Sequence, residues 1–148
     1  MTLSKALGFP KQGKKPKRSR HKFGAKRQEV AGRSFGSKLE LAVFEILKLR
    51  ELAGEIKDIQ QQVHVKLSAA QITYIPDFRC TEVATGKPLY VEAKGFQTPE
   101  WRIKRRLWIA YADAPLEIWM GSHNRPTLKE ILIPEANSTL AAFGQVIP

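Results

Sequence analysis

The sequence predicts one mixed α/β domain with a central sheet, preceded by a basic arm. Three observations support this reading. Apolar residues recur at helical spacing in two stretches, around residues 39–49 and 101–111. Short segments between and after them alternate or run apolar in the manner of strands. Charge is segregated as well. The chain has 148 residues and a formal net charge of +11, yet residues 1–38 carry twelve Lys and Arg against one acid, Glu29, and residues 39–148 carry thirteen charges of each sign. A neutral body of that length holds one core, so residues 29–148 are read as a single domain and residues 1–28 as an arm.

Each element has a local cause. Lys11, Lys14, Lys15, Lys17, Arg18, Arg20, Lys22, Lys26 and Arg27 repel one another with little apolar surface among them, so the arm is expected to be loosely ordered. Residues 29–36 form a short extended piece turning at Gly32. Ser37 with Glu40 three positions later is a capping-box pattern. It opens a helix lined by Leu39, Ala42, Val43, Ile46, Leu47 and Leu49 and closed at Gly54. Val63, Val65 and Leu67 alternate with His64 and Lys66 as a half-buried strand. Residues 72–80 read as a second strand, in which Pro76 marks an edge, a bulge or an end because proline cannot donate to the ladder. Thr85 to Pro88 is a turn and residues 89–93 a third strand, so 72–93 is a hairpin. Thr98 and Pro99 start a second helix, to about residue 112, with Trp101, Leu107, Trp108 and Tyr111 on its apolar side. Residues 116–120 give a fourth strand and 127–133 a short helix.

Composition excludes several classes. No apolar run approaches the ~20 residues that span a bilayer, and the N-terminus lacks the apolar stretch of ~7–15 residues that a secretory signal needs. The lone cysteine, Cys80, cannot form an intrachain disulfide, which points to a reducing, cytoplasmic setting. His21, His64 and His123 have no second ligand at zinc spacing. The basic arm suits a polyanion, nucleic acid above all, with a merely solubilising tail as the alternative.

The chemistry concentrates in Ile75-Pro76-Asp77-Phe78 and Tyr90-Val91-Glu92-Ala93-Lys94-Gly95. Side chains alternate along a strand, so Glu92 and Lys94 share a face, and Asp77 on the preceding strand can sit across from them. Two carboxylates and an amine at one point suit metal-assisted phosphodiester hydrolysis. Asp77, Glu92 and the Ala93 carbonyl would offer oxygen ligands to Mg²⁺, and Mn²⁺ could substitute. Lys94 would orient or deprotonate the attacking water or steady phosphate charge, and Glu40 would support a second metal.

Pro76-Asp77 and Glu92-Ala93-Lys94, separated by a 14-residue gap between Asp77 and Glu92, resemble the PD-(D/E)XK nuclease motif. The resemblance extends through Lys22 to Lys26, Phe35 to Glu40, Gly54 to Ile56, Gln62, Tyr74 to Phe78, Glu92 to Phe96 and the basic helix. It covers roughly residues 22–120. In this the chain resembles the phage endonucleases of the Holliday junction resolvase type and is similar in outline to the phage T7 endonuclease I group. The resemblance implies a restriction-endonuclease-like core, with a mixed sheet flanked by helices. It implies Asp77 and Glu92 as metal ligands, Lys94 as the catalytic lysine, Glu40 as the helix acid, and a homodimer acting on four-way DNA junctions. The host cytoplasm would be the setting if the chain is phage-encoded. Expected DNA contacts are Lys22, Lys26, Arg27, Lys38, Gln62, Arg102, Lys104, Arg105 and Arg106.

Plainer roles stand beside these. Glu40 can serve only as the capping acid, Gln62 as a strand residue, and the basic helix side as a solvated face. Trp101 and Trp108, seven residues apart, suit packing better than base stacking. Two other functions fit the same residues: a nicking or recombination nuclease without junction preference, and a DNA-binding protein with an idle site.

Overall fold

The computed structural model describes residues 27–68 and 70–135. Most of the arm, including Lys22 and Lys26, and the segment after residue 135 lie outside the described residues.

The chain enters through a hairpin of β1 (Gln28–Val30) and β2 (Arg33–Phe35). Ala31 and Gly32 turn it at φ 52° and 74°, the left-handed pair that a two-residue hairpin loop requires. Helix α1 (Lys38–Leu52) follows, with the Ser37 hydroxyl accepting from the Glu40 amide at 3.1 Å. Its exit is at Ala53, and Gly54 follows with φ 76°.

The main sheet has five strands in the order β3 (Ile56–Gln61), β6 (Phe78–Glu82), β7 (Pro88–Ala93), β8 (Leu116–Ser122) and β9 (Arg125–Leu132). Its pairs are antiparallel except β7 with β8, which run parallel because α2 (Pro99–Tyr111) carries the chain back between them. A separate pair, β4 (Val65–Lys66) and β5 (Thr73–Tyr74), flanks the sheet.

Among the described residues, one helix packs on each face of the sheet. Leu39, Val43 and Leu47 of α1 pack with Phe35, Ile56, Phe78, Leu89 and Val91. Trp101 and Trp108 of α2 pack with Tyr74, Tyr90, Leu116, Ile118 and Leu132. Strand β7 therefore sends Leu89 and Val91 one way and Tyr90 the other, and its middle is buried on both sides. Each fully buried side chain of this size contributes about 1.5–3 kcal/mol. Trp108 also satisfies its ring N–H, donating to the Ala114 carbonyl at 3.0 Å. The two tryptophans are core residues, as their spacing suggests.

Three expectations need correction. Residues 127–133 are not a helix. Leu128, Ile131 and Leu132 have helical spacing, but a two-residue turn at His123 and Asn124 lays the segment beside β8, from Ser122↔Arg125 to Leu116↔Leu132. The strand expected over 63–67 shrinks to Val65–Lys66, and the one expected over 72–80 splits around Pro76 into β5 and β6. Strand β3 was hidden by a bulge. Lys57 pairs with Thr81 and Gln60 with Arg79, so Asp58 and Ile59 together oppose Cys80. That extra residue turns both Ile56 and Ile59 toward the α1 core despite their three-residue spacing.

Candidate active site

Five elements meet at one end of the sheet. Asp77 precedes β6 and stands opposite Glu92 by continuation of the Phe78↔Val91 register. Its Oδ2 accepts from the Ala93 amide at 2.8 Å, so a side chain replaces the next rung of the ladder. Gln62, just past β3, holds Asp77 twice. Its amide donates to the Asp77 carbonyl at 3.1 Å and its Nε2 to Oδ1 at 3.4 Å. Gln62 has a φ of 55°, a left-handed backbone in a non-glycine residue.

Glu92, on β7, is only 6% exposed. Lys94 shares its face and donates from Nζ to Glu92 Oε1 at 2.8 Å. The same Nζ lies 4.6 Å from the centroid of the Trp101 ring, so α2 fixes the lysine through a cation–π contact. The other oxygen, Glu92 Oε2, is buried without a hydrogen-bond partner among the described residues.

Glu40 approaches from the first turn of α1 and is also 6% exposed. Its Oε2 accepts from the Gly36 amide at 2.7 Å. A Cβ at Gly36 would meet that oxygen at 3.0 Å, so the position favours the smallest residue. Glu40 thus caps its helix and at the same time faces the other acids.

Electrostatics bind the three carboxylates into one group. Burial pushes Asp77 well above the ordinary carboxylate range, and the charges of Glu92 and then Glu40 push it further. Burial also raises Glu40, followed by Glu92, against the lowering effect of the Gly36 amide. A cavity of about 500 Å³ opens beside them, lined by Arg27, Ser34, Gly36, Glu40, Gln62 and Asp77. A second cavity of about 300 Å³, lined by His64, Val65, Lys66, Tyr90, Tyr111 and Asp113, has a single carboxylate on its wall.

The donor set fits a hard divalent cation. It is all oxygen, it is short of positive charge, and it contains a buried carboxylate oxygen with no partner among the described residues. As placed, the acids do not close round one point. Among the described residues no three acidic, histidine or cysteine side chains stand close enough to enclose an ion. A hydrated Mg²⁺ needs only one or two carboxylates, which Asp77 and Glu40 already present to the cavity. Of Ala93, the structure engages the amide, on Asp77.

The expected DNA contacts divide. Arg27 lines the acidic cavity, and Lys38, Gln62, Arg102 and Arg106 are exposed. Lys104 instead donates to the Thr73 carbonyl at 2.9 Å, and Arg105 is ion-paired with Glu130. Sequence reasoning missed the ring of Trp101 beneath Lys94. Trp101 reads as a packing residue, and it is a core residue that also touches the site, with Tyr74 of β5 against its ring. Cys80 is fully buried, and burial pushes its thiol up to about 11, away from reactivity.

The described residues thus define an α/β domain whose mixed sheet carries an acid cluster and one lysine at its end. The chain belongs to the DUF1064 family, described as proteins of unknown function, whose model matches residues 20–122. That span includes Glu40, Asp77, Glu92, Lys94 and all of α2, and it stops before β9. No curated protein and no solved structure matches the chain. Among the described residues, no helix is long and apolar enough to cross a membrane.

Proposed function

We propose that the chain is a metal-dependent, structure-selective endodeoxyribonuclease with a PD-(D/E)XK core, nicking four-way DNA junctions in pairs as a homodimer. The observation that carries this reading is the buried group of Asp77, Glu92 and Glu40, whose mutual repulsion Lys94 only partly offsets. Structural acids are normally neutralised, and an incompletely neutralised cluster beside a cavity suits a cationic partner. A polyanionic substrate cannot approach three carboxylates unless cations lie between.

Asp77 and Glu92 would hold Mg²⁺, with Glu40 and the Ala93 carbonyl as further oxygens. Bound there, the cation would polarise the scissile phosphate and lower the pKa of a water. The chain's own residues supply the positioning. Gln62 and the Ala93 amide hold Asp77. Glu92 and Trp101 hold the Lys94 ammonium in place to steady charge on the phosphate. Arg27 on the cavity wall and the exposed Arg102 and Arg106 are placed to take phosphates of the DNA arms. A two-fold dimer would match the symmetry of a junction.

The test is cleavage of a four-way junction and of linear duplex of matched sequence, with Mg²⁺ or Mn²⁺, by wild type, Asp77→Asn and Glu92→Gln. The expected result is junction cutting by wild type, lost by on the order of 100-fold or more in either variant with junction binding retained. Wild-type cutting by the variants would overturn the site. Equal cutting of duplex would replace junction selectivity with a general nicking activity.

A further inference from the structure

Tyr74 sits behind the site on β5 and is 9% exposed. Its ring is held between two tryptophans of α2, 5.7 Å from Trp101 and 5.9 Å from Trp108 between centroids. Those neighbours leave the hydroxyl little freedom. That hydroxyl is buried and closes no hydrogen bond among the described residues. Glu92 Oε2 is in the same condition. The two groups are neighbours and chemically complementary: Glu92 bears on the Tyr74 hydroxyl both as a charge and as a hydrogen-bond acceptor, yet no full hydrogen bond closes between them. Buried polar groups are nearly always paired, so two unpaired ones side by side need a reason.

We infer that Tyr74 is a positioning residue for Glu92, its hydroxyl donating to the carboxylate and fixing its plane when a divalent cation is bound. The inference rests on the metal-centre reading above and adds a residue that the acid-and-lysine motif does not contain. Lys94 already donates to Oε1, so Tyr74 on Oε2 completes a two-sided clamp. Trp101 links the two halves, with Tyr74 against its ring and the Lys94 ammonium above it. Carboxylates that ligate metals are themselves held by hydrogen bonds from behind, and removing such a partner weakens metal binding roughly 10–100-fold.

The substitution Tyr74→Phe keeps the ring and its tryptophan neighbours and removes one oxygen. The full chain, free of DNA, is titrated with Mn²⁺ as wild type, Tyr74→Phe and Asp77→Asn. Free Mn²⁺ is read by electron paramagnetic resonance, and melting temperatures are taken without metal. The expected result is a Mn²⁺ dissociation constant raised roughly 10–100-fold in Tyr74→Phe. Its metal-free melting temperature should be unchanged or higher, because a buried unpaired hydroxyl has been removed. Tyr74→Phe binding Mn²⁺ as wild type does, while Asp77→Asn fails to, overturns the role of Tyr74 alone. A lowered metal-free melting temperature in Tyr74→Phe also overturns it, since the hydroxyl would then be a structural partner. Indistinguishable binding by all three proteins, or none by wild type, overturns the metal centre and this inference with it.

Discussion

Glu92 on β7 and Glu117 on the neighbouring β8 are equally buried, each 6% exposed, and they face opposite sides of one sheet. Their surroundings differ in kind. Glu117 receives both of its oxygens' partners from the protein. Arg50 of α1 donates to Oε1 and Oε2 at 3.2 and 3.1 Å, and the Trp119 ring N–H donates to Oε2 at 2.9 Å. Glu92 has Lys94 on one oxygen, no partner among the described residues on the other, and two further acids beside it. A buried carboxylate that only builds the fold is fully satisfied. One that is left short of positive charge, at the same depth and on the next strand, is what the proposed cation site would require.

The largest effect that can test this contrast comes from deleting each acid. Glu117→Ala strands the Arg50 guanidinium, so it should lower unfolding free energy by about 3 kcal/mol, at the small end for a broken buried pair because Arg50 is partly exposed. Junction cutting should survive at temperatures where the protein stays folded. Glu92→Gln should do the reverse: metal-free stability is kept or raised, because a repulsive charge is gone, and cutting is abolished. Urea denaturation without metal checks both, and a destabilised Glu92→Gln would erase the distinction.

A middle-sized effect lies in pH. The fold raises the pKa values of Asp77 and Glu40, so it binds their protons more tightly than the unfolded chain does. The stability this confers is complete below the ordinary carboxylate range and is lost as pH rises through the raised values, at no more than about 1.4 kcal/mol per pH unit for each proton. Metal-free protein should therefore melt higher at pH 5 than at pH 7 through this site. Asp77→Asn should flatten that slope, and saturating Mg²⁺ should reverse it. Scanning calorimetry across pH reads all three.

The smallest effect separates the bases of α2. Arg105 and Glu130 are each 36% exposed, so Arg105→Gln should cost no more than about 1 kcal/mol of stability. Arg102→Gln and Arg106→Gln should leave stability alone and reduce the salt dependence of DNA binding by roughly 0.9 for each phosphate no longer neutralised. Unchanged salt slopes would mean that this face of α2 does not meet DNA.

Local signals in the sequence were sufficient for some of this. Ser37 with Glu40, Thr98 with Pro99, and the Thr85 turn locate both helices and the central hairpin because caps and turns act over three or four residues. The Asp77, Glu92 and Lys94 grouping was legible because strand alternation and one hairpin bring it together. Strand β9 was not legible, since Leu128, Ile131 and Leu132 fit a helix locally and only pairing with β8 decides otherwise. Strand β3 was hidden because its bulge at Asp58 breaks the alternation that would announce it. Tyr74 escaped because an aromatic residue in a strand reads as core. It is core, and only the inferred role of its hydroxyl ties it to the site.

Gln62 has a consequence for how this sequence tolerates change. Its left-handed backbone costs about 1–3 kcal/mol that glycine would not incur, while its side chain and amide both hold Asp77. In a library randomised at that codon, a screen for thermal resistance should enrich glycine. A screen for activity should return glutamine, and the two lists of survivors would diverge at this position even though it lies on the surface.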